Sequence, residues 1–318
     1  MNYHNGLEIR SNFYYSYSKF LKEKFNSNVY KISLATDETC PNRDGTKGYG
    51  GCIYCSSHGS GKPFEKEVHK QVEEYFEYVK KGEKFIAYFQ SFSNMYKKSD
   101  KLIEEIEKLK DFQKIVGISI ATRPDTVNCK VLEYLTTLSD RFFIQIEFGL
   151  ESSNDITLKK INRQDESKTF LKACETVKSF LPDSHLVAHV IVGLPDENFI
   201  DYENTVKFFL LSKSDGIKFH HLYIVEDSTI YQYFMKGKVK LLSENEYIDI
   251  ILELIKILPP DKIIHRIKSS MIPVNLIAPL WTMDRFFYDK LYRKAKDKKI
   301  FQGMIYGNND FNCWEERK

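Results

Sequence analysis

Three cysteines, Cys40, Cys52 and Cys55, stand in the stretch CPNRDGTKGYGGCIYC with C-x11-C-x2-C spacing. Glycines, an asparagine and basic residues surround them. Thiolates are soft ligands that select zinc or iron–sulfur clusters. Three are too few to close a four-ligand structural site. His58 is close enough in sequence to complete a Cys3His zinc set, or it is a solvated loop residue. A four-iron cluster on three cysteines instead leaves one iron open to an external ligand, which suits chemistry better than scaffolding. Cys129 and Cys174 fall in helical patterns and Cys313 in the tail, and these three read as unligated thiols.

The elements that must position this loop are short apolar runs alternating with amphipathic stretches. Strands are predicted over 29–36, 84–90, 115–122, 141–150, 186–194 and 216–225. Helical periodicity runs over 65–82, 99–112, 125–140, 166–181 and 198–213, with Ser99, Asp125 and Asn198 placed as caps. Near-continuous apolar strands between helices mean buried parallel strands with right-handed crossovers. Six such units precede residue 226, which suits an open doubly wound sheet or an incomplete barrel. Both collect ligands at the carboxyl ends of their strands. The first strand runs directly into the cysteine loop, and the later ones end at FQSFSN, ATRPD, IEFGLESS, VGLPDE and HHLYIVEDST. Polar groups thus gather at one mouth. After LPPDK the alternation stops, and residues 241–318 read as an extension packed on a core of 29–240, behind an N-terminal helical segment of 1–28.

Composition narrows the class. The 318 residues are 42% hydrophobic and 29% charged, the balance of an ordinary globular protein. The opening MNYHNGLEIRSNF is too polar for a signal peptide, and runs such as LVAHVIVGL are too short for a membrane span, so the cytoplasm is the expected compartment. Six cysteines in such a chain argue against a disulfide framework. A net charge of +3 is too small to demand nucleic acid, so any basic surface must be local.

The cysteine loop, with Tyr54 directly before the last cysteine, resembles the cluster loop of radical S-adenosylmethionine (SAM) enzymes. Its long first gap departs from the commonest C-x3-C-x2-C spacing and resembles the branch that includes the catalytic subunit of Elongator. Within that branch the loop, with ATRPD, GLESS, INRQD, GLPDE and LIAPLW, is similar to the YhcC/YtqA-like bacterial group, over most of the chain. The resemblance implies a partial (βα)6 TIM-type barrel with a C-terminal α/β extension. It implies a [4Fe–4S] cluster on Cys40, Cys52 and Cys55, with SAM on the open iron and a flavodoxin- or ferredoxin-like electron donor.

Further roles follow residue by residue. Tyr54 packs beside the cluster and offers its backbone to the adenine, or merely anchors the turn. FQSFSN stands where many members carry a Gly-Gly-Glu-type motif, which leaves Gln90 and Ser91 as candidates for the SAM amino group. Glu147 lies in an apolar strand where an unpaired carboxylate is costly. It is a candidate for SAM and for catalysis, or a structural partner of a nearby arginine. Arg163 matches the position that pairs with the SAM carboxylate, or forms a surface salt bridge. Gly193 permits close approach to adenine, or is a turn glycine. Arg123 is a candidate substrate contact, while Asp125 reads as a helix cap. His220 and His221 point to opposite faces of one strand, so only one can face inward.

The resemblance also implies tRNA as partner, with conversion of a carboxymethylaminomethyl group on the wobble uridine to aminomethyl. The stretch RFFYDKLYRKAKDKK interleaves basic and aromatic residues as an RNA surface does, or is an amphipathic helix with a solvated lysine face. Two alternatives stay open: a radical SAM enzyme acting on a small metabolite such as a porphyrin precursor, and a non-catalytic zinc-stabilised RNA-binding module.

Overall fold

In a computed structural model the described residues are 13–57, 59, 65–78, 84–269 and 273–306. Six parallel strands follow one another in chain order: β1 (Val29–Leu34), β2 (Lys84–Phe89), β3 (Ile115–Thr122), β4 (Phe143–Glu151), β5 (His185–Val192) and β6 (Gly216–His221). The predicted strand over 216–225 breaks at Leu222–Tyr223. Its end becomes β7 (Ile224–Val225), which turns away and pairs antiparallel with β9 (Leu276–Ala278). Between them β8 (Ile263–Arg266) returns to the sheet as a seventh parallel strand beside β6. The result is a half-barrel, the architecture expected for a (βα)6 core, with its last strand drawn from the C-terminal extension.

Alternation along each strand divides the sheet into two faces. Ile118, Ile120, Ile146, Phe148, Ala188, Val190, Ile217 and Phe219 face the helices and form one core with them. Each buried Ile or Phe side chain stabilises the fold by about 1.5–3 kcal/mol before entropy is counted. The intervening positions, Ser119, Gln145, Glu147, His185 and Lys218, are buried yet polar, and they line the interior.

The helices outside this sheet are α2 (Val68–Tyr78), α3 (Ser99–Lys108), α4 (Cys129–Thr136), α5 (Asp155–Lys160), α6 (Ser167–Phe180), α7 (Phe199–Leu211), α8 (Thr229–Met235), α9 (Glu244–Ile257) and α10 (Phe287–Asp297). Asn198 caps α7 in a full capping box with Asp201. Ser99 and Asp125 are not caps. Ser99 is the first residue of α3 itself, Asp125 is held by Arg123, and the side chain that caps α4 is Asn128. The floor is α1 (Tyr17–Phe25), which packs against both edge strands, β1 and β8, and inserts Tyr17 and Leu21 against Ile86 and Ile263. Its Tyr17 hydroxyl donates to Gln145 Oε1 at 2.7 Å, so the closed end of the interior is sealed by a hydrogen-bonded aromatic. No described helix is long and apolar enough to cross a membrane.

Candidate active site

The loop after β1 is folded by its own backbone. Arg43 and Asp44 N–H groups donate to the Cys40 carbonyl, and Lys47 N–H to that of Pro41. Gly51 N–H donates to the Asn42 carbonyl, and Cys55 N–H to that of Cys52 at 2.9 Å. The loop is also sewn to the INRQD turn that follows α5. Ile53 N–H donates to the Ile161 carbonyl at 3.0 Å, and Asn162 Nδ2 donates to the Gly51 carbonyl at 2.9 Å. Fully buried Asn42 returns the contact, donating to the Asn162 carbonyl and lying 3.8 Å from Cys52 Sγ. Asp227 clamps the far end by accepting from Ser57 N–H at 2.8 Å and from the hydroxyls of Ser56 and Ser57.

That stitching brings Arg163 to the cysteines. Buried Arg163 donates from Nη2 to the Gly149 carbonyl at 2.7 Å and sets Nη1 3.9 Å from Cys52 Sγ. Gly149 leaves room for the ends of the Glu151 and Arg163 side chains. A Cβ there would stand 2.4 Å from Glu151 Oε1 and 2.9 Å from Arg163 Nη2. Glu151 adopts a left-handed backbone (φ 63°), a strained state for glutamate that turns its carboxylate toward Tyr54 and Arg163. Burial raises its pKa against the pull of Arg163.

The three thiols stand within electrostatic reach of one another. Burial pushes Cys55 up to about 11 and raises Cys40, while Arg43, Arg123 and Arg163 pull the other way. Three soft donors ringed by arginines suit an anionic thiolate-ligated group, and the residues present fit an iron–sulfur cluster. Among the described residues no three His, Cys, Asp or Glu side chains form a ready site for a single metal ion. His58 and Cys313 lie outside the described residues. Cys129 is exposed at the start of α4, and Cys174 is buried in α6.

The remaining candidates fall on different levels. Gln90 and Ser91 lie just past β2, where the Gln90 N–H donates to the Leu34 carbonyl. Gly193 follows β5 with φ 98°, a conformation that favours glycine. Arg123 is buried and engaged: Nε and Nη2 both donate to Asp125 at 2.8 Å, and Nη1 donates to the Arg163 carbonyl at 2.9 Å. Its fork therefore holds the Arg163 turn in place.

Glu147 sits in the middle of β4. Oε1 accepts from Lys31 (2.6 Å), Ser119 (3.0 Å) and Gln145 (2.5 Å). Oε2 accepts from Tyr88 (2.9 Å) and Lys218 (2.6 Å) and lies 2.7 Å from His189 Nε2. Burial alone would raise its pKa, but Lys218, Lys31 and His189 outweigh it and hold the carboxyl well below its usual range. Every acceptor position is thus taken by the protein. Of the histidine pair, His220 faces inward with its ring 5.2 Å from that of His189 and tilted by 37°, while His221 faces outward against Trp281 and Thr282.

Sequence reasoning passed over Lys31, Lys218, Glu151, Asn42 and Asp227. The signal for the lysines was present, since each is a lone cation at an inward position of an apolar strand, as Glu147 is a lone anion. Part of the basic surface at α10 is paired within the fold, while Arg293, Lys296 and Lys299 stay exposed. Lys290 pairs with Glu244 and Asp284, and Lys294 and Lys298 pair with Asp249.

The Radical SAM superfamily model matches residues 14–209, and the Radical_SAM C-terminal domain model matches 214–294. The protein YtqA of Bacillus subtilis is 30% identical, with 92% of each chain covered. The tRNA-2-methylthio-N(6)-dimethylallyladenosine synthase of Thermosipho melanesiensis is 23% identical over 64% of this chain and 49% of its own. Among solved structures, Elp3 of Methanocaldococcus infernus superposes with a TM-score of 0.65 at 15% identity, covering 87% of this chain and 64% of that one. That last likeness is one of fold.

Proposed function

The chain belongs to the radical SAM superfamily, and on that premise we propose that it holds a [4Fe–4S] cluster on Cys40, Cys52 and Cys55 and acts on tRNA. The cluster, when bound, supplies the single electron that cleaves SAM to methionine and a 5′-deoxyadenosyl radical, which takes a hydrogen atom from substrate. The chain's own residues bind, orient and shield.

The observation that carries this reading is Arg163 beside Cys52. A guanidinium fork next to a cluster thiolate is where the carboxylate of SAM needs a bidentate partner. The Gly149 carbonyl fixes the fork's direction, and Arg123 fixes its turn. Glu151, Gln90 and Ser91 are the polar groups assigned to the amino and ribose groups of SAM. The backbones at Tyr54 and Gly193 are assigned to the adenine. Glu147, with its oxygens occupied, orders the interior beneath. A half-barrel leaves its flank open to a large substrate, and the Thermosipho relative is by name a tRNA-modifying synthase.

Conversion of carboxymethylaminomethyl to aminomethyl at the wobble uridine, with the two-carbon fragment leaving as glyoxylate after loss of a hydrogen atom and one electron and hydrolysis by water, is the specific reaction we assign. The test is anaerobic incubation of reconstituted protein with SAM, dithionite and tRNA bearing the carboxymethylaminomethyl form, followed by mass analysis of digested nucleosides. Loss of the acidic nucleoside with gain of the amine supports the assignment, and an unchanged digest removes it.

A further inference from the structure

We propose that the half-barrel interior carries a subsite for an anionic oxyacid group of the substrate, a carboxylate or phosphate, formed by Arg266, Lys218 and Lys31. The subsite rests on the radical SAM reading only in taking the strand carboxyl ends as the mouth through which substrate enters.

Charge is the first argument. Lys31 on β1, Lys218 on β6 and Arg266 on β8 share the interior with one acid, Glu147, among the described residues that act on them. Two cations are already bonded to Glu147, whose oxygens are filled. The Arg266 side chain forms no hydrogen bond or ion pair with any described residue. Yet its charge is felt by Lys31, Lys218, His189 and His220, so it stands among them. A guanidinium without a partner beside two lysines leaves positive charge in excess of the one carboxylate, and an arriving anion would answer it.

Backbone geometry is the second. The β6–β8 ladder runs Gly216 with Ile263 and Ile217 with Ile264, then slips so that Lys218 pairs with Arg266. Without the slip His265 would stand level with Lys218. Such irregularities re-aim a side chain, and this one delivers Arg266 to the level of Lys218, whose ammonium reaches Glu147.

The level is reachable and unfinished. Lys31, His189, His220 and Arg266 are part-exposed and Ser33 is exposed, so solvent enters there from the mouth. His220 Nε2 is a buried polar atom with no partner among the described residues, while its Nδ1 lies 3.2 Å from Ser269 Oγ. It offers a further contact above the cations.

The test is equilibrium dialysis of the reconstituted full chain, without SAM, against 5-carboxymethyluridine, its methyl ester and uridine 5′-phosphate. We expect an anion to bind and the neutral ester not to. Arg266→Gln should weaken the anion by about tenfold or more, and Arg266→Lys, which keeps the charge but not the fork, by less. Binding of the carboxylate assigns the group to the base, and binding of the phosphate alone assigns it to the backbone. Equal binding of acid and ester, no anion bound, or an unaltered affinity in a folded Arg266→Gln protein overturns the proposal. Wild-type 5′-deoxyadenosine formation is read separately. Its absence sinks the radical reading and leaves the dialysis result standing.

Discussion

Lys218 Nζ meets Glu147 Oε2 at 2.6 Å in the centre of the half-barrel, where neither side chain is more than 4% exposed. Lys31 reaches the other oxygen of the same carboxylate at 2.6 Å. One carboxylate thus bonds to cations on the first and sixth strands, tying the two halves of the sheet across its interior. Removing a single partner of such a group leaves the rest uncompensated.

Glu147→Gln should therefore cost about 3–5 kcal/mol of stability, because buried Lys218 and part-exposed Lys31 lose the one carboxylate they share among the described residues. Urea unfolding of the purified protein measures it. A change within about 0.5 kcal/mol would show that the interior is wet enough to solvate the lysines without it.

Acid should destabilise the protein well above the carboxylate range. Burial lowers the pKa of His185 to about 4 and of His221 to about 3, and lowers that of His265 well below the ordinary 6.5. Above pH 6.5 these rings are neutral in both states, and no penalty applies. As pH falls from 6.5 toward 4, the unfolded chain binds protons that the folded chain refuses, so stability is lost through that window. Three such rings give a limiting slope of about 4 kcal/mol per pH unit. Unfolding free energy that stays flat from pH 7.5 to 5 would contradict this account.

Arg163→Lys keeps the charge beside Cys52 but loses the planar fork. Iron content after reconstitution should match the wild type while the KM for SAM rises about tenfold or more. An unchanged KM would place the SAM carboxylate elsewhere.

Gly149→Ala tests the same geometry from the backbone. Its methyl group would press on Glu151 and on the Arg163 fork. The expected outcome is a loss of about 1–3 kcal/mol together with a higher KM for SAM. Loss of stability with an unaltered KM would mean that the two side chains adjust without consequence for SAM.

The strands were legible because apolar runs bounded by turns and separated by amphipathic helices have few other solutions. The break at Leu222–Tyr223 was not, since β7 owes its direction to pairing with β9, about fifty residues away in sequence. The caps at Ser99 and Asp125 were misjudged for a local reason. Both are residue types that favour caps, but Asn128 stands closer to the start of α4, and Arg123 claims Asp125. In the site, the cysteines were conspicuous because three share one loop, and Glu147 because a carboxylate in an apolar strand must be paired. The partners of Glu147 come from β1, β2, β3, β5 and β6 as well as its own strand, and only the curved sheet brings them together. The lysines of the final helix could be read either as an RNA surface or as a solvated face, and the structure pairs only some of them, with Asp249 and Glu244 of α9.

The central claim is that Cys40, Cys52 and Cys55 hold a cluster that drives SAM cleavage. The direct measurement is 5′-deoxyadenosine formed by the anaerobically reconstituted protein with SAM and dithionite, beside Cys40→Ala, Cys52→Ala and Cys55→Ala. The account predicts product in the wild type and none in any of the three variants. Zinc-loaded, colourless wild-type protein that takes up no cluster and leaves SAM intact would contradict it.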